Sequence, residues 1–217
     1  MSDPIVSAII CVRDGEAYLT EALDSIAAQR HPSLETIVID DGSQDRSVAI
    51  AQVHPLQPRV ITQGPQGLSA ALNHALTLAR GDILGFLDCD DIWPDGRLNA
   101  MLPVLNSNPD VEAVYGKIVN TDSELRPIST PLAVQLAGAM LVRRRDALRV
   151  GPFRTDIKHA AILDWVSRAN AAGLRFHTLD LIVLLRRIHG DNMGLRERPE
   201  ARDDLMRVLR DHLKRKR

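Results

Sequence analysis

Three carboxylates lie within four residues of one another in the segment ILGFLDCDDIWPDGRL, which spans residues 83–98. Asp88, Asp90 and Asp91 follow directly after an apolar run. Like charges this close repel one another, and removing them from water is costly. The cluster therefore predicts a bound positive charge. Carboxylate oxygens are hard ligands that suit Mg²⁺ or Mn²⁺, and such a cation commonly takes its remaining ligands from substrate phosphates.

The elements that must position these acids alternate between strand and helix from the start of the chain. Nearly continuous apolar runs predict buried strands at 5–12, 34–40, 59–62 and 82–88. Apolar residues at helical spacing follow the first and third of these runs, and a short helix with Ser43 as its N-cap is predicted after the second. This alternation over short connections predicts an α/β fold in which helices wrap a parallel sheet.

Acidic residues follow three of the predicted strands. Asp14 comes after the first strand, Asp40 and Asp41 end the second, and the triplet at 88–91 ends the fourth. In sheets of this kind, ligands bind beyond the carboxyl ends of the strands. The convergence therefore predicts a divalent cation that carries a diphosphate. The chain has no G-x-G-x-x-G after the first strand and no G-x-x-x-x-G-K-[ST], which argues against a dinucleotide oxidoreductase and a P-loop NTPase.

The chain resembles the family 2 glycosyltransferases, which are inverting enzymes of the GT-A fold. The resemblance rests on four segments in the family's order, VSAIICVRDGEAYLTEALDSIAAQ, IVIDDGSQDRS, GLSAALNHALTLARGDILGFLDCDDIWPDGRL and RRIHGDN, which extend over residues 5–192. The second is similar to the family's D-D-G-S-x-D-x-S signature, the third to its D-x-D segment and the fourth to a late R-x-H-x-x-N element. The resemblance implies a GT-A-like, mainly parallel sheet with a Rossmann-like nucleotide-binding half and an acceptor-side half.

The same resemblance implies a nucleotide-sugar donor and residues that bind its base. It implies that Asp41 binds the uracil of a UDP-sugar and that the backbone from Cys11 through Val12 to Asp14 closes the base pocket. A carboxylate can accept a hydrogen bond from the uracil ring N–H, which suits Asp41. The chain departs from the family at Arg13 and the residue after it, where Tyr-Asn is commoner. The alternative for Asp41 is a helix-capping turn.

For the acidic triplet, the resemblance implies that Asp90 binds Mn²⁺ or Mg²⁺ and that Asp88 contacts the ribose or nucleotide. It implies that Asp91 orients the metal ligands or helps to bind the sugar. An Asx-rich turn is the alternative for all three. In the late segment, His189 is implied at the metal or the diphosphate, against the alternative of a structural histidine. Arg187 could hold a phosphate through its planar donors or pair structurally.

The catalytic base is the point at which the chain departs most from the family. Many members place Glu-Asp at the start of a late helix, six residues before an arginine, and this Asp takes the proton of the acceptor. Counting back from Arg168 puts Ala161 and Ile162 there, and neither can accept a proton. The nearest carboxylate, Asp164, is therefore the candidate base. Its spacing of four residues from Arg168 equally predicts an ion pair on a helix surface.

Composition limits the organisation of the chain and its partners. A length of 217 residues with 45% apolar residues predicts one large domain or two small ones. The resemblance implies a single domain, with a nucleotide-sugar half at 1–98, an acceptor half at 99–195 and a C-terminal helix with a basic tail at 196–217. A net charge of −1 gives no reason to expect a nucleic-acid partner. Cys11 and Cys89 are expected to be reduced thiols in a cytoplasmic protein. The basic tail is either a solvated helix end or a peripheral contact with a membrane, a second copy or another partner.

The sequence leaves three functions from different classes open. The favoured one is an inverting, metal-dependent glycosyltransferase whose acceptor the sequence does not name. The second is a sugar nucleotidyltransferase, which can share a related fold and an acidic metal site, although the chain lacks a Gly-rich loop with Arg or Lys after the first strand. The third is a catalytically degenerate nucleotide-binding or partner domain, which the missing Glu-Asp pair favours.

Overall fold

The computed structural model describes residues 5–190, residue 192 and residues 198–215. The strands are β1 (Val6–Val12), β2 (Leu34–Asp40), β3 (Arg59–Thr62), β4 (Ile83–Asp88), β5 (Ala113–Thr121), β6 (Met140–Arg143) and β7 (Phe176–Arg187). The helices are α1 (Leu19–Ala27), α2 (Ser47–Val53), α3 (Leu68–Leu78), α4 (Arg97–Ser107), α5 (Arg144–Val150), α6 (Ala161–Ala171) and α7 (Arg198–Arg215). A single 3-10 turn precedes β6.

These strands form one sheet in the order β3-β2-β1-β4-β6-β5-β7. The four strands that the sequence predicts lie side by side and parallel, and β5 and β7 are also parallel. Strand β6 runs antiparallel to both of its neighbours. The predicted mainly parallel sheet is therefore confirmed. The antiparallel strand β6 was not among the predicted strands.

The helix after β2 begins later than the sequence predicts. Helix α2 starts at Ser47, and Ser43 is not its N-cap. Instead, Oγ of Ser43 accepts a hydrogen bond of 2.9 Å from the backbone N–H of Asp14. In return, Oδ1 of Asp14 accepts a bond of 2.7 Å from the N–H of Gln44. Asp14 adopts φ of +54°, a conformation that a non-glycine residue keeps only with such support. The segment after β2 therefore braces the end of β1.

A buried arginine connects α4 to the turn before β6. The guanidinium of Arg97 lies 4.0 Å from the centre of the Trp93 ring and donates hydrogen bonds to the carbonyl groups of Gly138, at 2.7 Å, and Met140, at 3.0 Å. Both Arg97 and Trp93 are 1% exposed. Because a buried cation is costly without such partners, these contacts fix the turn in one position. This turn forms part of the site described below.

The C-terminal helix α7 has one buried and one exposed apolar side. Val208 is 1% exposed and packs in a small cluster with Ile157. Leu205, Leu209 and Leu213 lie on the opposite side and are exposed. Within the described part of the chain, no helix has both the length and the apolar character that a membrane span requires.

Candidate functional site

The sheet brings the acidic strand ends together. Cys11 on β1 is the register partner of Asp88 on β4, and Val12 is the partner of Asp40 on β2. The three parallel strands therefore end side by side, because adjacent strands in a sheet lie about 4.8 Å apart. Acidic residues separated by tens of positions in the chain thus meet at one edge, as the sequence predicts.

The triplet after β4 forms a compact acidic group. Ligand oxygens of Asp88, Asp90 and Asp91 all lie within 4.8 Å of one another, a spacing that fits a divalent cation. Desolvation, followed by the charge of Asp90, raises the pKa of Asp88 to about 6. Burial, followed by the charges of the other two acids, raises the pKa of Asp91 well above its usual value. Both shifts reflect desolvation first and the repulsion of the neighbouring carboxylates second.

The late segment holds the triplet from the other side. Nε2 of His189 lies 3.0 Å from Oδ2 of Asp90, and the side-chain amide of Asn192 donates to the same oxygen at 3.0 Å. The centre of the His189 ring also lies 4.8 Å from that of the Tyr18 ring, with the two rings tilted by 43°. The structure therefore brings His189 to the acidic group, where it can orient Asp90 or reach a cation. Its predicted role as a metal ligand stays a prediction.

Arg187 lies beside the triplet, but its donors are directed to protein acceptors. Its side chain is 2% exposed. Its backbone N–H donates to Oδ1 of Asp91 at 2.9 Å, and its guanidinium donates to the carbonyl groups of Asp90 and Ser123 and to the carboxylate of Glu21. This pattern is that of a residue that positions the acidic loop. The predicted phosphate contact of Arg187 is not visible in this geometry.

Arg186, the preceding residue on β7, faces the site instead. It lines a cavity together with Asp88 and Asp91, and its positive charge opposes the upward pKa shifts of both carboxylates. The sequence does not show which of the two adjacent arginines points to the site. Because side chains alternate between the two faces of a strand, Arg186 and Arg187 point to opposite faces of β7, and Arg186 is the one that lines the cavity.

Asp41 is buried at the end of β2 and holds the loop before α3. Its two carboxylate oxygens accept hydrogen bonds from the side chain of Gln63, at 2.9 Å, and from the backbone N–H groups of Gln66, at 2.9 Å, and Gly67, at 2.8 Å. Asp41 also borders the large cleft described next. The structure therefore gives this carboxylate a loop-bracing role in addition to the predicted base contact, which stays a prediction.

An open cleft of about 990 Å³ lies over the carboxyl ends of these strands. This volume is at the upper end of the range of about 300–1,000 Å³ that is usual for small-molecule sites. The predicted site residues that line the cleft are Cys11, Val12, Asp14, Asp41, Asp90 and His189. Residues that sequence analysis did not identify also line it, among them Gln66, Thr155 and Lys158.

A smaller cavity adjoins the cleft. Cys11 and Leu68 line both spaces, and burial is the main cause that raises the pKa of the Cys11 thiol, so the thiol is neutral. The side chains around the cavity are mostly apolar, apart from Asp88, Asp91 and Arg186. The acidic triplet thus stands at the junction, because Asp90 faces the cleft and its two neighbours face the cavity.

Ile162, and not Asp164, faces this cavity. Ile162 lies in the first turn of α6 and is one of the cavity-lining residues. Asp164 is fully buried and lines neither space. Its Oδ2 accepts a hydrogen bond of 2.8 Å from Nε of Arg168, and its Oδ1 lies 3.7 Å from Arg154. The predicted pairing with Arg168 is therefore present, but it is buried and not on the helix surface.

Comparison with known proteins identifies the family. The model of glycosyl transferase family 2 matches residues 7–162. The chain belongs to this family. An uncharacterized glycosyltransferase of Haemophilus influenzae is 28% identical over 206 residues, which cover 87% of this chain and 82% of the relative. Against several other curated relatives, the chain spans only about a third of their length.

Solved glycosyltransferases share the fold. The mannosyltransferase PcManGT from Pyrobaculum calidifontis, in complex with GDP-Man and Mn²⁺, has a TM-score of 0.79 and 21% identity, and the match covers 99% of this chain and 65% of that one. S. aureus TarS 1-349, in complex with UDP-GlcNAc, has a TM-score of 0.77 and 18% identity, with 94% of this chain and 65% of that one covered. The predicted GT-A-like fold is therefore confirmed.

Proposed function

We propose that this chain transfers a sugar from a nucleotide-sugar, a UDP-sugar in the first instance, to an acceptor, with inversion at the anomeric carbon. The observation that carries the proposal is the position of the acidic triplet between a nucleotide-sized cleft and a smaller cavity. A donor that lies across this junction would have its nucleoside in the cleft, its diphosphate at the acids and its sugar toward the cavity. Membership of family 2 and the ligands of the two structural neighbours support this donor class.

The residues present fit a divalent cation. The triplet offers hard oxygen ligands at short mutual distances, which suit Mn²⁺ or Mg²⁺. We infer that Asp90 is the principal ligand, that Asp88 and Asp91 complete the acidic group, and that His189 orients Asp90 or joins it. When bound, such a cation supplies positive charge against the negative charge that develops on the departing diphosphate.

The chain's own residues then have separate tasks. Asp41 and the end of β1 would bound the base pocket, where Asp41 holds the loop at Gln66 and Gly67. Arg187 would keep the acidic loop in position through its bond to Asp91. In an inverting transfer, the acceptor attacks the anomeric carbon from the face opposite the diphosphate, and a base removes its proton. Asp164 remains the base that the sequence proposes, although its burial against Arg168 favours a positioning role.

The position of Ile162 supports a second candidate function, that of a domain that binds a nucleotide-sugar without turning it over. An apolar side chain lines the cavity where family members commonly carry the basic carboxylate. A domain that binds a nucleotide-sugar without turning it over would have the same cleft and acidic triplet. The remaining alternative, a sugar nucleotidyltransferase, has no observation of this kind in its favour.

One experiment separates these functions. The full chain is incubated with Mn²⁺, a panel of UDP- and GDP-sugars and a set of candidate acceptors, and both nucleotide binding and nucleoside diphosphate release are measured. Tight binding with release supports the transferase. Tight binding without release over the whole panel supports the second candidate. Release of pyrophosphate from a sugar 1-phosphate and UTP would favour the nucleotidyltransferase, and the absence of any nucleotide binding would overturn the proposal.

A further inference from the structure

One wall of the cleft is a loop that no strand supports. Residues 151–160 connect α5 to α6, and residues 154–160 of this connection are named here the wall loop. Thr155, Ile157 and Lys158 of this loop line the cleft, as do Asp90 and His189. The wall loop therefore borders the same space as the acidic triplet, although it lies outside the signature segments of the family. Its position must be fixed by contacts other than sheet hydrogen bonds.

Helix α7 supplies most of these contacts. Oδ2 of Asp204 accepts hydrogen bonds from two consecutive backbone N–H groups of the wall loop, those of Lys158 at 2.8 Å and His159 at 2.9 Å. Arg207 donates to the carbonyl of Asp156 at 3.0 Å and to its carboxylate at 2.6 Å. Because the acceptors and donors include the loop's backbone, these bonds fix its path as well as its side chains.

Two further contacts hold the same interface. Arg154 donates to the carboxylate of Asp211 at 2.7 Å, and Val208 is buried against Ile157. The contact residues of α7 lie at positions 204, 207, 208 and 211, which is the spacing of one helix face. A single face of α7 therefore holds the wall loop along its whole length.

The residue just before the wall loop is held by α3. The side chain of Asn73 donates to the carbonyl of Phe153 at 2.8 Å and accepts from the N–H of the same residue at 2.8 Å. Helix α3 thus anchors the chain just before the wall loop, and α7 holds the loop itself. The backbone of Lys158 is therefore held in place, and Lys158 lines the cleft.

The charges that line the cleft indicate which ligand Lys158 would bind. Among the described lining residues, the carboxylates are Asp14, Asp41 and Asp90, and the side chains that are always cationic are Arg13 and Lys158. A nucleoside diphosphate that enters a cleft with this many carboxylates is repelled unless cations oppose them. A lysine ammonium is a compact charge with three donors and binds phosphate well.

We propose that Lys158 binds the diphosphate of the nucleotide-sugar donor and that Asp204 of α7 is the positioning residue that holds it there. This inference rests on the proposed function, because it takes the cleft to be the donor site. It adds a donor contact outside the family's signature segments and gives the C-terminal helix a part in donor binding.

The test measures the affinity of the full chain for UDP by titration calorimetry in the presence of Mn²⁺. Lys158→Ala should weaken UDP binding about ten- to a hundredfold, as expected for the loss of a charged hydrogen bond, and Lys158→Arg should restore most of it. Asp204→Ala should weaken binding by a smaller factor, and the matched control Asp203→Ala, an exposed neighbour on the same helix, should change nothing. In turnover assays, Lys158→Ala and Asp204→Ala should each raise KM for the donor more than they lower kcat.

A double-mutant cycle tests whether Asp204 acts through Lys158. If it does, Lys158→Ala should cost less UDP affinity in the Asp204→Ala background than in the wild type, because the lysine is already displaced. Additive effects would overturn the positioning role, and unchanged affinity in Lys158→Ala would overturn the contact itself. Wild-type protein that fails to bind UDP or GDP would refute the proposed function instead, so the two failures are distinguishable.

Discussion

Nε2 of His189 and Oδ2 of Asp90 lie 3.0 Å apart although 99 positions separate the two residues in the chain. The same carboxylate oxygen also accepts a bond from Asn192. The middle acid of the triplet is therefore oriented by the segment that follows β7, the last strand of the sheet. An acid that accepts two side-chain bonds is preorganised for a ligand, because its rotamer is fixed before the ligand arrives.

Asp90→Ala should abolish most of the metal-dependent affinity for UDP. Without a cation the carboxylates and the diphosphate repel, so wild-type binding should be much tighter with Mn²⁺ than with EDTA, and the variant should lose this difference. Titration calorimetry under both conditions measures it. Asp95→Ala is the control, since Asp95 is exposed just beyond the triplet. Equal wild-type affinity with EDTA and with Mn²⁺ would contradict the metal site.

Asp88→Asn should stabilise the metal-free protein at pH 8. The pKa of Asp88 is raised to about 6 in the folded state, against about 3.9 in an unfolded chain. The folded state therefore binds this proton more tightly, and the stability that the group contributes is present below pH 4 and is lost as the pH rises through 6. In EDTA, the variant should have a higher Tm than the wild type at pH 8 and a smaller advantage at pH 5. An advantage that is the same at both pH values would refute this account.

Asp41→Asn should weaken UDP binding and also lower stability. The amide would replace one of the two carboxylate oxygens by an NH2 group, which would face the N–H of Gly67 or, in the other orientation, the donors of Gln66 and Gln63. An unpaired buried donor costs about 1–3 kcal/mol. Thermal unfolding and UDP titration measure the two effects, with Asp82→Asn, an exposed site, as the control. A normal Tm together with unchanged UDP affinity would remove Asp41 from both roles.

Asp164→Asn distinguishes a base from a structural ion pair. If Asp164 takes the acceptor's proton, turnover should fall by about 10² to 10⁴ with normal stability. Its burial against Arg168 leads us to expect the other result, a loss of roughly 3–5 kcal/mol in the free energy of unfolding, because a buried cation loses its charged partner. Denaturant unfolding and single-turnover kinetics on the folded fraction measure the two effects. A large rate loss with unchanged stability would restore the base role.

Ile162→Asp should place a proton acceptor in the cavity. Ile162 lines the same space as Asp88 and Asp91, and a general base there should increase transfer if the wild type lacks one. The expected result is a rise in kcat at neutral pH with little change in UDP affinity. The control is Leu163→Asp, since the Leu163 side chain is exposed on the same helix. A fall in kcat at unchanged UDP affinity would show that the apolar side chain itself serves the reaction.

Local chemistry in the sequence determined the architecture and the location of the site. Apolar runs at β1, β2 and β4 are long enough to predict buried parallel strands, and the position of Asp41 and of the triplet at strand ends follows from chain order alone. Because parallel strands end at one edge of a sheet, the sequence also predicted where the acidic residues meet. These inferences succeed because they depend on periodicity and strand direction, which are properties of short segments.

Tertiary structure decided which side chains reach the site. Only the face of β7 shows that Arg186 lines the cavity while Arg187 holds the acidic loop. Only the packing of α6 shows that Ile162 faces the cavity and that Asp164 is buried. The packing of α7 on the wall loop places Asp204 within hydrogen-bond distance of the backbone N–H of Lys158, 46 positions away. Sequence spacing could not predict these outcomes, because they depend on how each element is rotated against its neighbours, and contacts distant in the chain fix that rotation.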